Sequence, residues 1–349
     1  MSRIEETDRN FAVRGIAPGE GGWRSALEPP FEIHGVFFEE GKFRRIPEAL
    51  ASQVNQGVLY LHANTAGGRV RFATDSPVIS IHAEMPGIAR MPHFALTGSA
   101  GFDLYADNEF RGAFVPPQEI TSNYESALCF PDAKLRQITI HFPLYSDVSG
   151  LWIRLENGAS LLPPAPYADL PPVVYYGSSI TQGGCASRPG LAYENILSRR
   201  LNADHVNLGF SGSAKGEQVM AEYIAGLEMS AFVLDYDHNA ESPALLAATH
   251  AAFFETVRKA HPDIPILMLS RPKFTLFPEE EERLAVIRAT YEAAVAAGDQ
   301  NVYLLTGKEL MALAGNEGTV DNCHPNDLGF FSMANAVGDV LQNVLRLKS

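Results

Sequence analysis

Two short segments at opposite ends of the second half of this chain carry the residue types that ester chemistry needs. Gly177-Ser178-Ser179-Ile180-Thr181 closes an apolar run, Val173 to Tyr176, that reads as a strand. A serine at such a strand-to-helix turn stands at the rim of a parallel sheet, where the helix N-terminus favours developing negative charge. Alone, the segment reads as a helix cap. Its partner is Asp321-Asn322-Cys323-His324-Pro325. A carboxylate three residues before a histidine on a tight loop can curl back onto the imidazole Nδ1–H, which leaves Nε2 as a base toward a serine hydroxyl. Acyl transfer also needs donors for the tetrahedral oxyanion, each worth about 3 kcal/mol of barrier. Asn207-Leu-Gly-Phe-Ser-Gly212, where a glycine at the strand end would let a backbone N–H approach the substrate closely, and Asp235-Tyr-Asp-His-Asn239, whose asparagine amide is a second donor, supply candidates. The spacing Gly209-Phe210-Ser211-Gly212 breaks the G-x-S-x-G elbow, so Ser211 is set aside as a nucleophile.

These blocks need a scaffold that brings them to one edge. After the proline-rich stretch 161–172 the pattern alternates strand and helix. Strands are predicted over Val173–Gly177, Val206–Leu208, Phe232–Asp235, Ile266–Ser270 and Val302–Leu305. Helices are predicted over Ala192–Leu201, Glu217–Leu227, Pro243–Ala260, Pro278–Ala297 and Leu328–Leu345. Alternation of this kind implies a parallel sheet with crossover helices, whose functional groups gather at the carboxyl ends of the strands. The serine, the two donor blocks and the aspartate–histidine loop all follow such ends. From about Phe31 to Glu156 the pattern is instead short β-branched and aromatic runs: Gly57–His62, Arg69–Thr74, Val78–His82 and Gln137–Phe142, with turn formers between them and one brief helix near Pro47–Gln53. That predicts an all-β sandwich of jelly-roll type. The expected organisation is therefore residues 1–160 as a β-sandwich domain, 161–172 as a stiff linker and 173–349 as an α/β domain.

Composition removes other classes. A net charge of −14 over 349 residues, without a basic stripe, argues against nucleic acid and anionic membrane surfaces. A neutral or cationic small molecule, or a sugar, is the expected partner. No apolar run approaches the roughly 20 residues needed to span a bilayer, and the polar, acidic start lacks a secretory pattern, so a cytoplasmic location is expected. The three cysteines stand in no metal-ligand spacing, and neither a metal nor a cofactor is expected. Cys185 and Cys323 flank the two catalytic blocks and are candidates for a pair, with reduced thiols as the alternative.

The order Ser179, Gly212, Asn239, Asp321-x-x-His324 resembles the SGNH, or GDSL-like, hydrolase superfamily over Pro172 to Leu345. The resemblance implies a flavodoxin-like three-layer α/β/α fold with a five-stranded sheet. It also implies Ser179 as nucleophile, His324 and Asp321 as base and orienter, and an oxyanion hole from the N–H groups of Ser179 and Gly212 with the Asn239 amide. The usual Gly-Asp-Ser-Leu is here Gly177-Ser178-Ser179-Ile180, and the usual Gly-x-Asn-Asp is Asp237-His238-Asn239-Ala240. Gly101-Phe102-Asp103-Leu104-Tyr105 resembles the GxDLY signature of a β-domain preceding a subgroup of these hydrolases, similar to two-domain carbohydrate esterases. This β-domain either binds sugar or only shapes one wall of the pocket, and the plain alternative for Asp103 is a turn cap. Arg188, on the loop after the nucleophile, and His238 are candidate substrate contacts. The activity implied is hydrolysis of short acyl esters, such as O-acetyl groups on a carbohydrate or polyol. The same residues would serve an acyltransferase, and a catalytically silent glycan-binding protein is the reading from another class.

Overall fold

The computed structural model describes residues 7–8 and 19–345. The first part is a sandwich of two antiparallel sheets. One sheet runs in the order Arg24–Ser25, Gly150–Leu155, Val78–Glu84, Asn123–Cys129. The other runs Leu161–Leu162, Arg69–Thr74, Arg136–His141, Phe102–Ala106, Glu109–Phe114, with Glu32–His34 also pairing onto Arg69–Thr74. The inner faces meet over Phe72, Ile81, Phe102, Phe114, Ile140 and Ile153.

The two-residue period of a strand decides what the second sheet does with its outer face. Phe102, Leu104 and Ala106 point into the sandwich core, so Asp103 and Tyr105 point out of it. By the same alternation Ile138 and Ile140 are inside while His141 is outside. Val70 and Phe72 are inside while Arg69 and Arg71 are outside. This outer face is buried against the second half of the chain. Arg69 pairs there with Asp204.

The second half is a parallel sheet in the order His205–Gly209, Val173–Gly177, Ala231–Asp235, Ile266–Leu269, Val302–Leu305. That is a doubly wound order whose reversal lies beside Val173–Gly177, where such folds place their ligands. Val174 and Tyr176 pack toward the helices Gln218–Ala225, Pro243–Ala260 and Pro278–Ala296. Val173 and Tyr175 pack toward Tyr193–Leu201 and Asp327–Val344. The flavodoxin-like α/β fold and the preceding sandwich agree with the sequence reading. Among the described residues, no helix is long and apolar enough to cross a membrane.

Two local expectations need correction. Gly57–His62, read as a strand, lies in a helix, Gln56–Leu61, capped by the Asn55 side chain, which accepts from Val58 N at 2.9 Å. Its apolar positions Val58 and Leu61 are three apart, which is helical spacing, and with Ala51 of the helix Glu48–Val54 they are buried in the α/β core rather than in the sandwich. Within 161–172, Leu161–Leu162 pairs with Arg69–Thr74 and Ala165 O accepts from Arg71. The Tyr167 hydroxyl accepts from Arg69 Nε at 2.8 Å. The proline-rich stretch thus lies along the sandwich.

Candidate active site

The first parallel strand ends at Gly177, and the chain turns at once into a one-turn helix, Ser179–Gln182. Ser178 caps it, its Oγ accepting from Ile180 N at 3.1 Å. That is the task left to the residue standing where the GDSL pattern has aspartate. The brace comes from Thr181, whose hydroxyl donates to Asp235 Oδ2 at 3.0 Å at the end of the third strand. Gln182 ties the neighbouring loops together. Its amide donates to Asn64 Oδ1 and Leu144 O, and its Oε1 accepts from Ser211 N at 2.9 Å.

Across the sheet edge, the loop before the last helix is held by Asp321. Its Oδ1 accepts from Cys323 N at 3.1 Å and His324 N at 2.8 Å, and its Oδ2 lies 2.8 Å from His324 Nδ1. Burial works to raise this carboxyl, but the His324 N–H and ring hold it below the usual carboxylate range. Asn322 takes φ of +64° to close the loop. His324 Nε2 is 2.9 Å from Ser179 Oγ. With the ring proton on Nδ1, that nitrogen donates to Asp321 while Nε2 accepts from the serine. This geometry permits proton removal from Ser179 and nucleophilic attack. Asp327 bridges the two loops, accepting from Ser187 N at 2.9 Å and Ser187 Oγ at 2.6 Å.

The N–H groups of Ser179 and Gly212 meet no acceptor among the described residues. Gly212 has φ of +66°, a conformation that favours glycine, and the space where its Cβ would stand is open. Asn239 donates one amide hydrogen to Phe210 O at 2.9 Å, in the same loop as Gly212, and its other amide hydrogen meets no acceptor among the described residues. If these groups hold an oxyanion, Asn239→Ala lowers kcat for ester hydrolysis by roughly 10²–10³-fold with a small change in KM. Steady-state rates of the variant at matched folding check this.

The first half of the chain closes the site. The Tyr145 hydroxyl donates to Ser179 O at 3.2 Å. The rings of His93 and Phe94 stand 5.7 and 6.1 Å from the His324 ring, and Phe94 packs edge-on against Tyr145. Asp103 does not cap a turn. It is fully buried in its strand, accepting from Gly190 N at 2.9 Å and Arg188 Nη1 at 2.8 Å, with His141 Nδ1 at 2.8 Å. Burial works to raise Asp103, yet His141 and Arg188 hold it below the usual carboxylate range, whereas burial depresses His141 to about 4. The stable state is therefore a carboxylate with a neutral imidazole and a guanidinium. Arg188 is the second correction to the site: bonded to Asp103 and the Tyr105 hydroxyl and lying over Phe110, it serves the junction between the two halves rather than a substrate. His238 is half-buried with Nε2 3.5 Å from Cys323 Sγ, and burial, followed by Arg271 and His324, keeps it neutral. Cys185 and Cys323 are both free thiols. Cys323 is turned to His238, and Cys185 faces His93 and His324, so the proposed pair does not form.

Behind the nucleophile, Glu194 and Asp235 are buried carboxyls. Both are raised well above the usual value, chiefly by burial, and the Glu194 oxygens make no hydrogen bond of normal geometry among the described residues. A carboxyl raised on folding keeps its proton where the unfolded chain releases it, so folding weakens as pH rises above the ordinary carboxylate range. Glu194→Gln removes that loss. The variant's melting temperature relative to wild type should climb by a few degrees between pH 5 and pH 9, as read by thermal scans across that range.

Residues 171–342 match the GDSL-like lipase/acylhydrolase family, and residues 22–161 match the GxDLY family, the N-terminus of SGNH-hydrolase-type esterases. Residues 171–342 form a domain of the GDSL-like lipase/acylhydrolase family, which makes the chain a carboxylic ester hydrolase. A solved protein named a GDSL-like lipase, from Bacteroides ovatus, is 29% identical with a TM-score of 0.83, over 94% of this chain and 98% of that one. A salicylyl-acyltransferase from a tetracycline biosynthetic pathway aligns with a TM-score of 0.77 at 21% identity, over 94% and 99% of the two chains. An acetyl xylan esterase from the rumen bacterium Butyrivibrio proteoclasticus aligns at 0.62 and 13%, over 94% and 100%. No protein of curated function matches the sequence significantly.

Sequence reasoning missed Gln182 and Thr181 as braces, with Asn207, whose amide donates to Thr181 O at 2.6 Å, and Tyr145, His93 and Phe94 as walls. Gln182 and Thr181 adjoin the nucleophile and were open to suspicion. The Met91-Pro-His-Phe94 loop carries no local signal.

Proposed function

We propose that the chain is a serine esterase that removes short acyl groups, O-acetyl above all, from a carbohydrate or related polyol through an acyl-enzyme on Ser179. The observation that carries this is the continuous line Ser179 Oγ, His324 Nε2, His324 Nδ1, Asp321 Oδ2, with separations of 2.9 and 2.8 Å. His324 takes the serine proton as Oγ attacks the ester carbonyl, then gives it to the leaving alcohol. Water, deprotonated by the same imidazole, releases the acid. The Ser179 and Gly212 N–H groups and the Asn239 amide hold the oxyanion in each half.

The substrate class rests on the neighbouring cleft of about 480 Å³, bordered by Tyr60, Asn64, Ile88, Arg90, Met91 and Ser211. It joins the site through Tyr145 and Ser211. Tyr60 is 75% exposed at its edge, a flat ring on which a sugar can stack, and Asn64, Arg90 and Ser211 offer hydrogen bonds to hydroxyls. Carbohydrate esterases, one of them an acetyl xylan esterase, share the fold. The test compares p-nitrophenyl acetate, butyrate and octanoate, then acetylated xylo- and cello-oligosaccharides. The expected result is kcat/KM falling with chain length and acetate release from the oligosaccharides. Preference for octanoate, or no acetate release from any sugar, overturns the substrate class. The fold shared with an acyltransferase gives the second reading: product analysis with a competing polyol acceptor would then show acylated acceptor in place of free acid.

A further inference from the structure

Three side chains from three separate loops converge at the mouth of the site. One ligand-type atom each from His93, Cys185 and His324 lies within 4.8 Å of the other two. His93 belongs to the first half of the chain, Cys185 to the loop after the nucleophile, and His324 to the loop before the last helix. Cys185 is buried, and its Sγ makes no hydrogen bond among the described residues. Its backbone takes φ of +72°, which is uncommon for a residue with a Cβ and which fixes the direction of the thiol. Neither the proposed hydrolysis nor the packing of the junction uses this thiol.

Two imidazoles and a thiol are the ligand types that zinc prefers, and three protein ligands leave a fourth position for water or a hydroxyl oxygen. Bonds of about 2.0–2.3 Å in a tetrahedron set ligand atoms roughly 3.5 Å apart, so side-chain torsions need to close the cluster by about 1 Å. His324 Nδ1 is already committed to Asp321, which leaves Nε2, the atom that faces Ser179, for a metal.

We infer that His93, Cys185 and His324 form a site for a soft divalent cation of the Zn²⁺ type, whose occupancy withdraws His324 Nε2 from Ser179 and stops turnover. The inhibitory half of this rests on His324 acting as the general base; the binding half does not. On binding, the Cys185 S–H bond breaks, the proton leaves to solvent and the sulfur electron pair forms the bond to the metal, with no change of oxidation state. Because the thiol must give up its proton to bind, the metal competes with that proton and binding tightens as pH rises. Asp321, Cys323 and His324 form a second cluster with the same 4.8 Å limit. Its thiol is drawn toward His238, and it would require Asp321 to share the oxygen that orients the base.

The experiment uses the full chain freed of metal with a chelator, titrated in parallel with Zn²⁺ in the esterase assay and with Co²⁺ in an absorption spectrometer. Zn²⁺ is expected to inhibit the wild type, with half-inhibition tightening by about tenfold per pH unit between pH 6 and 8, as release of one proton requires. Co²⁺ is expected to give the near-ultraviolet sulfur-to-cobalt charge-transfer band. Cys185→Ser should lose the band, and both Cys185→Ser and His93→Ala should raise the half-inhibitory Zn²⁺ concentration about tenfold or more, each measured against its own metal-free rate. Cys323→Ser should behave as wild type. A wild type that Zn²⁺ does not inhibit, inhibition unchanged in Cys185→Ser, or relief by Cys323→Ser alone overturns the inference. Absence of the cobalt band in a chain that hydrolyses esters sinks the metal site alone. A band in a chain that hydrolyses none sinks the esterase reading and leaves the site standing.

Discussion

Ser179→Ala lowers kcat for p-nitrophenyl acetate by roughly 10⁵–10⁶-fold, leaving only the residual acceleration that an oxyanion hole and binding supply. The loss is large because Ser179 Oγ is the atom addressed by His324 Nε2, whereas the hydroxyl of Ser211, the nearby alternative, makes no hydrogen bond to a histidine among the described residues. Binding should suffer little, since the substitution deletes one oxygen from a side chain already close-packed at 6% exposure. Stability should be nearly unchanged: the cap of this helix is Ser178, not Ser179. Burst kinetics add a second readout. The wild type releases p-nitrophenol in a burst equal to the enzyme concentration if deacylation is slow, and the variant shows none. A variant that retains wild-type turnover would remove Ser179 from the mechanism.

Asp321→Asn is expected to cost roughly 10³–10⁴ in kcat while the loop keeps its shape. The asparagine carbonyl can still accept from the N–H groups of Cys323 and His324, which are the bonds that fold the loop. Its NH₂ group then faces His324 Nδ1 and donates to it. The ring is driven to the tautomer with the proton on Nε2, which cannot accept from Ser179. The fault is therefore one of proton placement, and it should persist at every pH where the wild type works. Proton NMR of the imidazole nitrogens, together with kcat and melting temperature, checks this. A variant that loses kcat only in proportion to lost folded protein would make Asp321 structural.

The parallel sheet was legible because its strands are buried on both faces and read as continuous apolar runs between helices. Pro243–Ala260 and Val302–Leu305 fall where the pattern puts them. Ser179 and the Asp321–His324 pair were legible because a triad needs particular residue types and their partners are local in sequence or lie at strand ends. Arg188 was misread because its partner, Asp103, lies 85 residues away, and nothing near Arg188 states that a buried carboxylate waits there. Gly57–His62 was misread because its β-branched and aromatic residues suggest a strand. Its fate was decided by the Asn55 cap and by a distant apolar surface. The GxDLY motif gave a domain but not its purpose. Alternation along the strand assigns Phe102 and Leu104 to the core and Asp103 and Tyr105 to the loop behind the nucleophile.

The helix Gln56–Leu61 also sets a schedule for synthesis. It leaves the ribosome with the sandwich, yet Val58 and Leu61 are covered by residues such as Leu208, Phe210 and Met220, which are made roughly 150–160 residues later. At about 5–20 residues per second, its apolar face waits on the nascent chain for on the order of ten to thirty seconds. During that interval the sandwich can complete its own core, but the surface that Asp103 offers and the seat of this helix stay open until the hydrolase sheet arrives to fill both.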